Sequence, residues 1–180
     1  MNTYVALLRG INVSGQKKVR MTDLKNLFEK IGHSNVLTYI QSGNVIFNNK
    51  EQNSDLLEKQ IEDAIFGTYG FQVHVIVKQN RALQSIVDQN PYTDKKDLEE
   101  NKVYFIVLKK KPSIELVTAL EAMHFDGEQF LITDLCVYLK CINGMGKAKC
   151  GTNFFEKKLE VNCTARNHRT MSKILSLASF

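Results

Sequence analysis

Three places in the sequence gather side chains able to hold an anion. Arg9, Gly10 and Asn12 lie in VALLRGINVSGQKKVRM, where an apolar run gives way within one residue to a polar, glycine-containing loop. Gln41, Ser42, Gly43 and Asn44 make up the second, in YIQSGNVIF. The third pairs CINGMGKAKCG, with Lys147, and TARNHRT, with Arg166 and Asn167. Arginine offers a planar fork that matches carboxylate or phosphate, while Asn and Gln both donate and accept. Close glycines beside lysines suit a loop that cradles an anion with its backbone amides.

The first loop is not a P-loop. Gly10 and Gly15 have the required four intervening residues, but Gln16-Lys17 follows where Lys and then Ser or Thr should stand. Val19 to Met21 also separate the loop from the expected helix cap at Thr22, whereas a P-loop needs the helix start directly behind the phosphates. The histidines (His33, His74, His124, His168) and cysteines (Cys136, Cys141, Cys150, Cys163) show no metal-ligand spacing. We therefore expect no metal and no cofactor, and read the cysteines as reduced, small apolar residues. No catalytic residue is assigned. Asp23, Asp134 and His168 are titratable, but no spacing argument selects any of them, and whether the chain is an enzyme stays open.

The elements that position these residues follow from periodicity. Thr3 to Arg9 reads as a strand; Leu24, Leu27, Phe28 and Ile31 form one apolar stripe of a helix from Thr22 to Ile31, stopped by Gly32. Asn35 to Gln41 and Asn44 to Asn48 read as strands joined tightly at QSGN. A helix from Ser54 to Phe66 and a strand from Phe71 to Val77 complete a βαββαβ order, the split-βαβ or ferredoxin-like unit. A further helix, Arg81 to Gln89, follows it.

The order then repeats as strand 102–108, helix 113–123, strands 129–133 and 135–141, short helix 153–159, strand 160–165 and last helix 170–179. FQVHVIVKQNRALQSIV aligns without gaps on LEVNCTARNHRTMSKIL, matching Val73, Arg81 and Ile86 to Val161, Arg169 and Ile174. The expected fold is therefore α+β, two ferredoxin-like units in tandem, each followed by an extra helix. The expected divisions are 1–90, a polar linker 91–101, and 102–180.

In such a unit the first and second strands run parallel, so their C-terminal ends share one sheet edge. Arg9 to Asn12 should then meet Gln41 to Asn44. The third and fourth strands also run parallel, which brings Lys147 and Arg166-Asn167 to one edge of the second unit.

The totals suit a globular protein with a core: 180 residues, 43% hydrophobic and 24% charged. A net charge of +5 permits phosphate-rich partners. No stretch approaches the ~20 apolar residues of a membrane span, and Arg9 ends the first apolar run too soon for a secretory signal, so a cytoplasmic location without membrane contact is expected. The favoured function is a polar pocket for a small anionic ligand, a nucleotide or phosphorylated metabolite. A nucleic-acid (RNA) binding module is the alternative, since ferredoxin-like sheets can bind RNA with aromatic residues on their central strands. An enzyme of unknown reaction is the third reading.

ALLRGINVSG, YIQSGNVIF and TARN, in this order across nearly the whole chain, resemble a largely bacterial family catalogued as a domain of unknown function, number sixteen-ninety-seven. Its motifs read closer to LRGINVGG and TxRNW, so Ser14 stands in place of a glycine and His168 in place of a tryptophan. The resemblance implies a pair of ferredoxin-like units. It implies no reaction, cofactor or substrate.

Overall fold

The computed structural model describes residues 1–179. Its elements, in order, are β1 (Asn2–Leu8), α1 (Met21–Lys30), β2 (Ser34–Tyr39), β3 (Asn44–Asn49), α2 (Ser54–Tyr69), β4 (Val75–Gln79) and α3 (Asn80–Asp88). Then come α4 (Lys95–Glu99), β5 (Val103–Leu108), α5 (Ile114–Glu121), β6 (Glu128–Ile132), β7 (Cys136–Cys141), α6 (Thr152–Leu159), β8 (Cys163–Asn167) and α7 (His168–Leu177). The strands form two antiparallel sheets, β2-β3-β1-β4 and β6-β7-β5-β8. This is the expected α+β fold, two ferredoxin-like units in tandem, each with its extra helix.

By compactness one unit comprises Met1–Gln84 together with the chain from Ile174 onward, and the other comprises Ser85–Lys173. Residues 91–101 contain α4. Asp94 caps it by accepting from Asp97 N (3.0 Å), and the Asp97 carboxylate pairs with Lys140 and, at 3.9 Å, with Lys102. The hydrogen bond from Lys140 holds the Asp97 carboxyl below the usual range.

The central strands are apolar on both faces because both faces are covered. In the first unit Tyr4, Ala6 and Leu8 of β1 pack with Leu24 and Phe28 of α1 and Leu57, Ile61 and Ile65 of α2. Val5 and Leu7, on the opposite face, are just as buried. In the second unit Ile106, Leu108, Val137 and Leu139 pack with Phe155 and Leu159. Phe125, Phe130, Phe154 and Phe155 meet edge-on or tilted at 5.2–6.3 Å between ring centres. Truncating Phe155, the fully buried member of the group, costs about 3–5 kcal/mol.

Sheet edges are treated alike in the two units. β4 pairs only with β1, and two carboxylates of α2 take its outward amides. Glu58 Oε1 accepts from Val77 N (2.8 Å) and Glu62 Oε1 from Val75 N (2.9 Å). On β8, Glu156 Oε1 of α6 accepts from Cys163 N at 3.4 Å. A row of open amides invites another strand, and these carboxylates close it.

Two strand positions and one cap differ from expectation. β4 and β8 begin later than expected, and each runs directly into the next helix, β4 into Asn80 and β8 into His168. The strand register is set by β1 and β5: Leu8 pairs with Val75 and Leu108 with Cys163, which leaves the preceding residues outside the ladder. α1 starts at Met21, so its N-cap is Arg20, which makes no side-chain capping bond, and Thr22 lies inside the helix. All four cysteines are buried free thiols. Cys136 and Cys141 lie on opposite faces of β7, as their odd offset requires. Among the described residues no helix is long and apolar enough to cross a membrane.

Candidate functional site

The loop between β1 and α1 is built around Asn12. Its Oδ1 accepts from Val19 N (2.8 Å), and its Nδ2 donates to Val19 O and Gln41 O (2.9 Å each). Its own N–H donates to Lys17 O at 3.1 Å. Asparagine suits the place doubly, since it offers donor and acceptor at once and tolerates the φ of 55° found here. Beyond it, Ser14 (φ 50°) and Gly15 (φ 75°) turn the chain tightly, so that Gln16 N donates back to Val13 O (2.9 Å). Two consecutive positive φ values between bridging residues make a type I′ tip. Lys17 Nζ donates to Gln72 O (2.7 Å), and buried Val19 anchors the return.

The predicted meeting of the first two stretches exists. Leu8 N donates to Gly43 O (2.8 Å), and Asn12 reaches Gln41. Gly43 has φ +79°, and a Cβ there would stand 2.7 Å from Leu8 Cβ and 2.8 Å from Ile11 Cδ1. Asn44 is fully buried and closes the β2–β3 turn, its Nδ2 donating to Tyr39 O (2.9 Å) and Ser42 Oγ (3.0 Å). Arg9 is half-buried, and its backbone N–H donates to His74 O (2.9 Å).

Beside this junction lies a cavity of about 700 Å³. Asn12 and Gln41, from the two stretches, line it, whereas Arg9, Gly10, Ser42, Gly43 and Asn44 do not. Its charged wall is Lys18, Arg20 and Asp23, with Thr22 between them in the first turn of α1. Among the described residues the side chains of Lys18 and Arg20 make no hydrogen bond or ion pair. Without a side-chain cap on α1, the amides of its first turn lack that partner, and the positive end of the helix adds to the two cations. Tyr69, the last residue of α2, supplies an aromatic wall. Its ring stacks on Phe71 (5.8 Å, 22°). Burial, and then the nearby Asp23 carboxylate, push its phenol above the ordinary value, so it stays protonated. Lys18, Arg20 and Tyr69 were not singled out in the sequence, and Thr22 was expected only as a helix cap. No motif carries them, and only the return of the loop past Asn12 brings them together with Gln41.

The expected anion loop of the second unit holds an anion of its own. Glu128 accepts from Lys149 N (2.7 Å), Cys150 N (2.8 Å) and Cys150 Sγ (2.5 Å). Burial alone would raise its carboxyl, but these hydrogen bonds and the Lys149 charge outweigh it and hold it below the usual range. Lys147 is exposed in this loop. Arg166 is buried and lies along its own strand, its Nη1 donating to Thr164 Oγ1 (2.9 Å) and Ala165 O (2.8 Å). Burial lowers its pKa to about 10, which leaves it charged at neutral pH. Asn167 caps α7 by accepting from Thr170 N (2.9 Å). His168 keeps an aromatic contact with Phe105 (6.2 Å, 29°) where the family motif has tryptophan. Among the described residues no group of three or more His, Cys, Asp or Glu is placed to hold a metal ion.

A family model described as "Protein of unknown function (DUF1697)" matches residues 1–138. A solved structure, the conserved bacterial protein SP0830 from Streptococcus pneumoniae, superposes with a TM-score of 0.75 at 21% identity, covering 99% of each chain. At that identity the likeness shows the fold alone. None of the curated proteins matches.

Proposed function

The chain belongs to the DUF1697 family, whose description assigns no activity, and from its own geometry we propose that it binds a small anionic ligand in the cavity beside α1. One observation carries this reading: Lys18 and Arg20, two cations with no side-chain partner among the described residues, directly precede the uncapped first turn of a helix in a cavity of ligand size. Lys18 and Arg20 take the anion, Thr22 orients it, Gln41 offers its amide to the rest of the ligand, and Asn12 holds the wall. Arg9, on the same loop but outside the lining, is the secondary cation to vary. A phosphorylated metabolite or nucleotide fits this charge arrangement.

Thermal unfolding against a panel of inorganic phosphate, sugar phosphates and nucleotides tests the reading. A ligand at about 100 times its Kd adds roughly 2.7 kcal/mol, which should raise Tm by several degrees in the native chain. The rise should vanish in Lys18→Ala/Arg20→Ala. No shift with any panel member, or an equal shift in the variant, overturns it.

The nucleic-acid alternative loses its usual platform. The sheet faces opposite the packed helices are covered in both units, with Val5, Leu7 and Ile76 at 0–2% exposure and Phe105, Val107 and Tyr138 at 0%. Four buried free thiols suit a reducing compartment, and we place the protein in the cytoplasm on that ground. The matched ladders support duplication as the origin of the two units. Arg9 N donates to His74 O and Lys109 N to Asn162 O, both at 2.9 Å.

A further inference from the structure

The cavity is larger and more varied than a bare anion requires. Its volume of about 700 Å³ lies well within the roughly 300–1,000 Å³ of small-molecule sites. Its lining is also chemically mixed. Lys18 and Arg20 present cations; Asp23 and Tyr69 present a carboxylate and an aromatic ring, with the Gln41 amide as the remaining polar wall. A ligand that was only anionic would meet Asp23 as a like charge. The residues call instead for a molecule that is anionic at one end and carries hydrogen-bond donors and a flat ring at the other. Hydroxyl and amino groups suit Asp23, which accepts only, and the edge of a heterocycle suits Gln41, which donates and accepts. Stacking needs a ring held in place, and Tyr69 is backed by Phe71 at 5.8 Å and followed by Gly70, which ends α2 at φ +74°.

We propose that the ligand of this cavity is a nucleoside monophosphate, its phosphate on Lys18 and Arg20, its ribose hydroxyls toward Asp23 and its base on Tyr69 and Gln41. The proposal rests on the anion-binding reading above and narrows it to one class. Tyr69 is then the specificity-determining residue: it distinguishes a nucleotide from the sugar phosphate that lacks a base.

Isothermal titration with the four common ribonucleoside 5′-monophosphates, ribose 5-phosphate and inorganic phosphate tests it. Base–aromatic stacking is worth roughly tenfold to a hundredfold in affinity. At least one nucleotide should therefore bind about tenfold or more tighter than ribose 5-phosphate. Tyr69→Leu should abolish that advantage, bringing nucleotide and ribose 5-phosphate to similar affinity, and Tyr69→Phe should retain it. If ribose 5-phosphate binds as tightly as every nucleotide, or if Tyr69→Leu preserves the ratio, the nucleotide assignment falls and the anion site stands. If no phosphate compound binds, both fall.

Discussion

Gly43→Ala isolates the contact that joins the two loop stretches. Two separate costs apply at this position. A non-glycine residue held at φ +79° costs about 1–2 kcal/mol. The new methyl would also lie 2.7 Å from Leu8 Cβ and 2.8 Å from Ile11 Cδ1. Ile11 Cδ1 ends a side chain and can swing away; Leu8 Cβ sits on the backbone of the central strand β1 and cannot. Overpacking of this kind costs roughly 1–3 kcal/mol. The expected loss is therefore about 2–5 kcal/mol. Gly10→Ala supplies the control, because its φ is +69° and a Cβ there meets nothing within 4 Å. It should show the conformational cost of about 1–2 kcal/mol alone. Urea unfolding of both variants, with unchanged m, reads the difference directly. If Gly43→Ala is no worse than Gly10→Ala, the close approach of Gly43 to β1 is not what holds the junction.

Two further perturbations probe the scaffold of the first unit. The Asn49 amide nitrogen lies 2.8 Å from His33 Nδ1, so that nitrogen accepts and buried Nε2 carries the ring proton without a partner. Burial lowers the His33 pKa to about 4 from 6.5, so the folded state favours the neutral ring. Its contribution is present above pH 6.5 and is lost as pH falls toward 4, by about 3 kcal/mol. His33→Phe should flatten the stability profile between pH 7 and 4.5, and an unchanged slope would refute the assignment. Glu58→Ala removes the acceptor of Val77 N on the outer edge of β4. A loss of about 1–3 kcal/mol in urea unfolding is expected, with faster aggregation by light scattering as the edge opens. Native-like stability and scattering would show that Glu62 alone closes the edge.

Periodicity and turn chemistry made most of the fold legible. The stripe Leu24, Leu27, Phe28 marked α1, and QSGN marked the turn that Asn44 closes with its own amide. The βαββαβ order then fixed which strand ends share an edge, and Leu8 with Gly43 and Asn12 with Gln41 meet there. The starts of β4 and β8 were not legible, because Phe71-Gln72-Val73 and Glu160-Val161-Asn162 carry strand-like residues that the ladder with β1 and β5 leaves unpaired. The cap of α1 was misread because Thr22 is the better capping side chain, yet the chain anchored by Val19 enters the helix two residues earlier.

Anion-binding residue types were legible, but not which of them the chain uses internally. Glu128 takes the Lys149 and Cys150 amides, Thr170 N takes Asn167, Gln72 O takes Lys17, and Asn12 serves Val19 and Gln41. Each bond removes a group from the set available to a ligand, and none is encoded by spacing. Among the described residues this leaves Lys18 and Arg20, in the first unit's loop, as cations without a side-chain partner, one on either side of the Val19 anchor. Asn12 clamps both backbone groups of Val19, and Lys18, Val19 and Arg20 all line the cavity. Asn12 thus holds the backbone between Lys18 and Arg20, and in the proposed site it would act on the ligand only through that geometry.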